Sequence, residues 1–215
     1  PEGGYYRLCW CATGYSCVEP KDFAVDAGTM KLVGPHHNQS RTCFSGAPCS
    51  ATGITGVGLS NGDRTMVLRY CDTDLYIARF PNSGYSDPAV DNGTTVTWAG
   101  AAATIVTAPG GFYKLCWCAA SQTCTRSGSN FQVEYGLLYI VGPAPLTQSK
   151  TCLSGEYCNV TDFTGYGLSD GDQMMISSNC GDPNGIVARW PNMGISQDST
   201  ANGSAFFWSD YVTSG

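Results

Sequence analysis

Hydrophobic and polar side chains alternate from Tyr5 to Cys11. Tyr6, Leu8 and Trp10 fall on one face, and Tyr5, Arg7, Cys9 and Cys11 on the other. A period of two with a cation opposite three apolar side chains predicts a half-buried β-strand. The same alternation returns at Tyr113, Leu115 and Trp117 against Lys114. Phe23–Val25 and Met30–Val33 predict two strands flanking a turn at Gly28, with Gly136 in the matching place, because glycine accepts the positive φ of a tight turn. Asn61-Gly62 and Asp170-Gly171 predict two-residue hairpin turns. Residues 64–71, 75–80 and 94–98 complete a set of about seven short strands per half, with turns every 8–12 residues or so. No window carries a long apolar stripe at helical period. The pattern predicts an all-β chain of antiparallel, immunoglobulin-like β-sandwiches.

The pattern is written twice. GGYYRLCWC at 3–11 returns as GGFYKLCWC at 110–118, and TCxSGxxC at 42–49 returns at 151–158. GxGLSxGD at 56–63 returns at 165–172, and an AR-aromatic-PN run at 78–82 returns at 188–192. The offset drifts from 107 to 110 residues, so insertions are single residues in loops. A repeat of this length is a domain rather than a solenoid turn. The expected boundaries are 1–106 for the first repeat and 107–215 for the second. Each half controls for the other: a residue kept in both serves the fold, and a residue present in one is free to serve something else.

Cysteine usage sets the compartment. The 12 cysteines fall six to a half at matched positions, which indicates disulfides and an oxidising, extracellular setting. The CxC and Cx5C spacings do not suit a zinc site, and no metal or cofactor is expected. Cys9 and Cys11 share a strand face and are poor partners for each other. Cys11–Cys17 and Cys43–Cys49 close short turns, which leaves Cys9–Cys71 as a long-range bridge. The second half then reads Cys118–Cys124, Cys152–Cys158 and Cys116–Cys180.

Charge and candidate chemistry narrow the function. The formal net charge is -6 and the basic residues are scattered, which argues against a nucleic-acid partner. No apolar run approaches the length of a membrane-spanning helix, about 20 residues. The two histidines, His36 and His37, do not recur and would point oppositely on an extended chain. With the cysteines oxidised, no nucleophile with a base is apparent, so no catalytic residue is expected. Asp63 and Asp172 stand beside turn glycines, where a carboxylate bonds its own backbone more readily than it assembles a calcium site. Arg79 and Arg189 recur, which suggests an ion pair or stacking in the core. Four N-glycosylation sequons begin at Asn38, Asn92, Asn159 and Asn202; Asn92 and Asn202 occupy one position in both halves.

The ends of the chain carry a further signal. YVTSG at 211–215 followed by PEGGYY at 1–6 reads like the internal junction IVTAPGGFY. The chain, which starts at Pro1 as a processed or excised product would, is expected to come from a longer tandem array or to meet copies of itself head to tail; the alternative is that the termini of duplicated units simply resemble the linker between them. Residues 104–108 and 211–215 are the expected connectors.

At LCWC, VGP, TCxSGxxC and GLSxGD the chain resembles cysteine-rich tandem β-sandwich repeats of secreted protist and algal proteins. It is also similar to two-domain, heavily glycosylated protomers of extracellular glycoprotein fibrils from aquatic microbes. The resemblance covers nearly the whole chain. It implies secretion, covalently attached glycans and serial head-to-tail self-assembly, and it supplies no catalytic residue. The expected function is a structural subunit of a glycan-coated extracellular filament. The alternative is a secreted carbohydrate-binding or adhesion module, with Tyr15, Tyr85 or Tyr157 meeting sugar.

Overall fold

A computed structural model of the chain describes residues 1–98 and 104–212. It is all-β: thirteen strands and four short 3₁₀ turns, with no α-helix among the described residues. The strands are β1 (Gly4–Trp10), β2 (Val25–Leu32), β3 (Gly34–Pro35), β4 (Arg41–Phe44), β5 (Ser50–Ala51), β6 (Gly56–Val57) and β7 (Arg64–Leu68). They continue with β8 (Val96–Thr97), β9 (Gly111–Cys118), β10 (Val133–Pro143), β11 (Tyr157–Val160), β12 (Gly165–Tyr166) and β13 (Phe206–Tyr211). The chain forms two compact units. Unit 1 holds Pro1–Ala108 and Phe112–Tyr139; unit 2 holds Pro109–Gly111 and Ile140–Gly215.

The boundary expected at 106/107 therefore shifts. The first strands of the second repeat cluster with the first repeat, because β9 is hydrogen-bonded along β7. The register runs antiparallel from Arg64 opposite Cys118, through Met66 opposite Cys116, to Leu68 opposite Lys114. β10 lies on the other side of β9 and pairs in turn with β4. Burial follows the pairing. Met66, Leu68, Cys116, Cys118 and Phe131 form one core cluster of unit 1, with Tyr85 packed against it. Unit 2 has its own core of Cys158, Val160, Phe206, Trp208 and Val212.

The recurring AR-aromatic-PN run has a backbone explanation. Asn82 and Ser83, like Asn192 and Met193, sit in the left-handed region. This turn aims the carbonyls of Gly84 and Gly194 at the buried indoles of Trp98 and Trp208, which donate to them at 2.7 and 2.8 Å. Arg79 and Arg189 are themselves left-handed and exposed, so a buried ion pair is not what their recurrence serves, and the turn itself accounts for it. The Arg79 carbonyl accepts from the Thr107 backbone N–H at 3.2 Å.

Two local expectations change. Gly28 is not the tip of a hairpin: it lies within β2, opposite Leu8, where the β1–β2 register slips by a bulge between Leu8 and Cys9. Its φ of +130° serves that bulge. Asn61-Gly62 does make a turn, but the strands around it do not pair with each other, since β6 joins β3 and β7 joins β9.

Candidate assembly surfaces

The most unusual surface of the molecule is the β1–β2 hairpin. It pairs with no third strand among the described residues. Its counterpart β9–β10 has the same alternation of side chains and is sheathed by β7 and β4. The difference in environment is large. Leu115 is 0% exposed and Leu8 45%; Trp117 is 8% exposed and Trp10 55%. Trp10 thus departs from its expected core position, because no sheet covers it. Tyr5, Val25 and Met30 of the hairpin and the neighbouring Phe23 are exposed as well. Arg7 and Asp26 pair across it at 3.1 Å, as Lys114 and Glu134 do at 2.6 Å across β9–β10.

Unit 2 shows the complementary deficit. Residues 173–177 correspond to β7. Met175 and Ser177 bridge to Ile195 and Ile186 on one side, as Met66 and Leu68 bridge to Tyr85 and Tyr76. No strand lies along the other edge among the described residues. Met175 is accordingly 43% exposed where Met66 is 0%. Residues 150–153, which correspond to β4, form no strand.

The disulfides report the same asymmetry. Cys11–Cys17, Cys43–Cys49, Cys118–Cys124 and Cys152–Cys158 are bonded, each closing a six-residue separation. The expected long-range pairs Cys9–Cys71 and Cys116–Cys180 do not form. Cys71 is bonded to Cys116, with Cα atoms 5.6 Å apart, and Cys9 and Cys180 are exposed free thiols. The reason is register: a disulfide needs Cα atoms within about 4.4–6.8 Å, and β9 rather than β1 lies beside the strand leading to Cys71.

Polar contacts also lock the second repeat's opening segment into unit 1. The buried Asp63 carboxylate accepts from the backbone N–H groups of Ser60 at 3.0 Å and Ala120 at 2.8 Å. Asp74 accepts from the Tyr76 hydroxyl at 2.6 Å and the Gly128 N–H at 2.7 Å, and these bonds lower its carboxyl pKa below the usual value. The Tyr85 hydroxyl donates to the Cys124 carbonyl at 2.6 Å, with Arg64 over its ring. Tyr85 is therefore committed to packing. Tyr15 is exposed, and the rings of Tyr157 and Tyr211 lie 4.2 Å apart at a tilt of 34°.

The remaining sequence candidates are dispersed. Asn38, Asn92, Asn159 and Asn202 are all exposed, Asn92 and Asn202 at left-handed turn positions. The His36 ring meets the Thr55 hydroxyl at 3.3 Å, and the His37 N–H donates to Glu2 at 3.0 Å. A recess of about 650 Å³ in unit 1 is lined by Lys31, Trp117, Gln122, Asn130 and Gln132, and presents amides and one ammonium group. Among the described residues no cluster of His, Cys, Asp and Glu suits a metal ion, and no helix is long and apolar enough to cross a membrane. Of the expected connectors, Val106 exchanges backbone bonds with Ala47 and Gly46, and Val212 with Glu156 and Gly155. Residues 213–215 of the second connector lie outside the described residues, as do 99–103 of the internal junction. No protein-family model matches the chain, and comparisons with characterised proteins and with solved structures return no match.

Proposed function

We propose that this chain is an extracellular structural glycoprotein, a tandem of immunoglobulin-like β-sandwich repeats that assembles head to tail into a glycan-coated filament. One observation carries the reading: the opening hairpin of the second repeat is built into the sheet of the first, while the equivalent hairpin at the start of the chain is apolar, exposed and unpaired. A contact that uses different surfaces on the two partners, and that does not close into a ring, propagates as a filament. The five disulfides suit an oxidising compartment. The four exposed sequons would place sugar along the filament surface, where it masks remaining strand edges and apolar side chains.

Electron microscopy of the purified protein over a concentration series tests this. Unbranched filaments that lengthen with concentration are the expected result. Discrete, monodisperse particles at high concentration would overturn it, and selective binding on a glycan array by those particles would favour the carbohydrate-binding alternative.

A further inference from the structure

The junction that joins the two repeats inside the chain is a template for the junction between chains. In unit 1, β9 fills the edge of β7, β10 covers β4, and Cys116 bonds Cys71. In unit 2 the segments 173–177 and 150–153, which correspond to β7 and β4, have no such strands beside them among the described residues, and the Cys71 equivalent, Cys180, is a free thiol. The missing parts exist elsewhere in the chain, unused: β1 and β2 match β9 and β10, and Cys9, matching Cys116, is the other free thiol. Building on the filament reading above, we propose that the β1–β2 hairpin of one copy inserts into unit 2 of the next, and that Cys9 of the first copy then forms an interchain disulfide with Cys180 of the second.

The intrachain register transfers directly. Arg64 opposite Cys118 becomes Gln173 opposite Cys11, Met66 opposite Cys116 becomes Met175 opposite Cys9, and Leu68 opposite Lys114 becomes Ser177 opposite Arg7. In that register Met175 and Leu8 each leave water, on opposite faces of the sheet, the change already seen between Met175 and Met66 and between Leu8 and Leu115. Asp172, which accepts from the Ser169 N–H at 3.1 Å, gains the Thr13 N–H in place of Ala120 on Asp63.

Side-chain volumes compensate as well. In unit 1 the Thr65 hydroxyl meets the buried Tyr135 phenol at 3.1 Å. The corresponding pair between chains is Met174 with Ala27, a long side chain replacing Thr and a short one replacing Tyr. Both partners change together, and no polar atom is left over. Cores keep total volume in this way when they tolerate substitution.

The covalent step needs an oxidant of the low-molecular-weight disulfide class, such as oxidised glutathione. The Cys9 thiolate attacks a glutathione sulfur, breaking its S–S bond and releasing one glutathione thiol. The Cys180 thiolate then attacks the mixed disulfide at the Cys9 sulfur and releases the second. The protein loses two electrons and two protons, and oxidised glutathione gains them.

The test is oxidation of the purified chain in a glutathione redox buffer, followed by a non-reducing gel and peptide mapping. Wild type should give a ladder in steps of the chain mass, 22.8 kDa before any glycan, that a reductant collapses, with a cross-linked peptide pair containing Cys9 and Cys180. Cys9→Ser and Cys180→Ser should each abolish the ladder. An equimolar mixture of the two variants should form one disulfide dimer and stop, because each supplies the thiol the other lacks; that dimer also establishes that both variants fold. A monomer with Cys9 bonded to Cys180 in the same chain would overturn the proposal, as would a dimer of Cys180→Ser joined through two copies of Cys9. Filaments whose Cys9 and Cys180 both remain alkylatable would overturn this disulfide and leave the filament reading standing, whereas discrete particles would remove both.

Discussion

Tyr135 carries the largest environmental shift of any titrating side chain described above. It is buried in unit 1 against Thr65, and burial pushes its phenol up to about 12. The folded chain therefore holds this proton more tightly than the unfolded chain, whose tyrosines titrate near 10. Its contribution to stability is fully present below pH 10 and is lost as pH rises toward 12. The urea midpoint of wild type should fall steeply over that window, and Tyr135→Phe should flatten the fall while costing about 1–3 kcal/mol at neutral pH, because the Thr65 hydroxyl loses its partner. At this scale the sequence was informative about types and poor about partners. Recurrence marked Asp63 and Arg79 as scaffold residues. It could not reveal that Arg79 recurs for its left-handed backbone, since nothing in an arginine side chain announces a turn. Position 27 is alanine where the second repeat has Tyr135, a difference whose bearing on packing only the tertiary structure shows.

Among elements, the two hairpins β1–β2 and β9–β10 have nearly the same sequence pattern and opposite environments. Gly136 shows what docking demands of the backbone. A Cβ at that position would lie 2.2 Å from the Gln39 carbonyl oxygen and 2.5 Å from its carbon. Both are main-chain atoms held by the bond from the Gln39 N–H to the Tyr135 carbonyl at 2.9 Å, so neither can step aside. Gly136→Ala should destabilise unit 1 by about 1–3 kcal/mol, the usual range for overpacking, read as a lower denaturant midpoint. Gly28 meets nothing within 4 Å in the same position of β2. Period-two alternation identified β1 and β9 correctly as strands. Gly28 of β2 and Gly136 of β10, both expected at a turn, both lie inside strands; a turn and a bulge use the same residue at Gly28, and close packing requires it at Gly136.

For the whole molecule, the repeat boundary and the structural boundary do not coincide: Phe112–Tyr139 belongs by sequence to the second repeat and by packing to unit 1. The offset leaves unit 2, among the described residues, without two strands that unit 1 has. Amide hydrogen exchange in the unassembled chain should therefore be at least about a hundredfold slower at 64–68 than at 173–177, because protection follows burial and strand pairing. Assembly should close that gap, and equal protection in unassembled chains would count against the missing-strand account. The chain's sequence by itself determined the all-β class, the twofold repetition, the short-loop disulfides and the positions of the exposed sequons, because each depends on local spacing and side-chain period. Only the tertiary structure decided which copy of a repeated strand fills which sheet, and with it that Cys71 bonds Cys116 while Cys9 and Cys180 stay free. The physical reason is degeneracy: β1 and β9 present nearly the same edge and the same alternating faces, so local chemistry ranks them equally, and the choice is made by which of them the chain brings alongside β7.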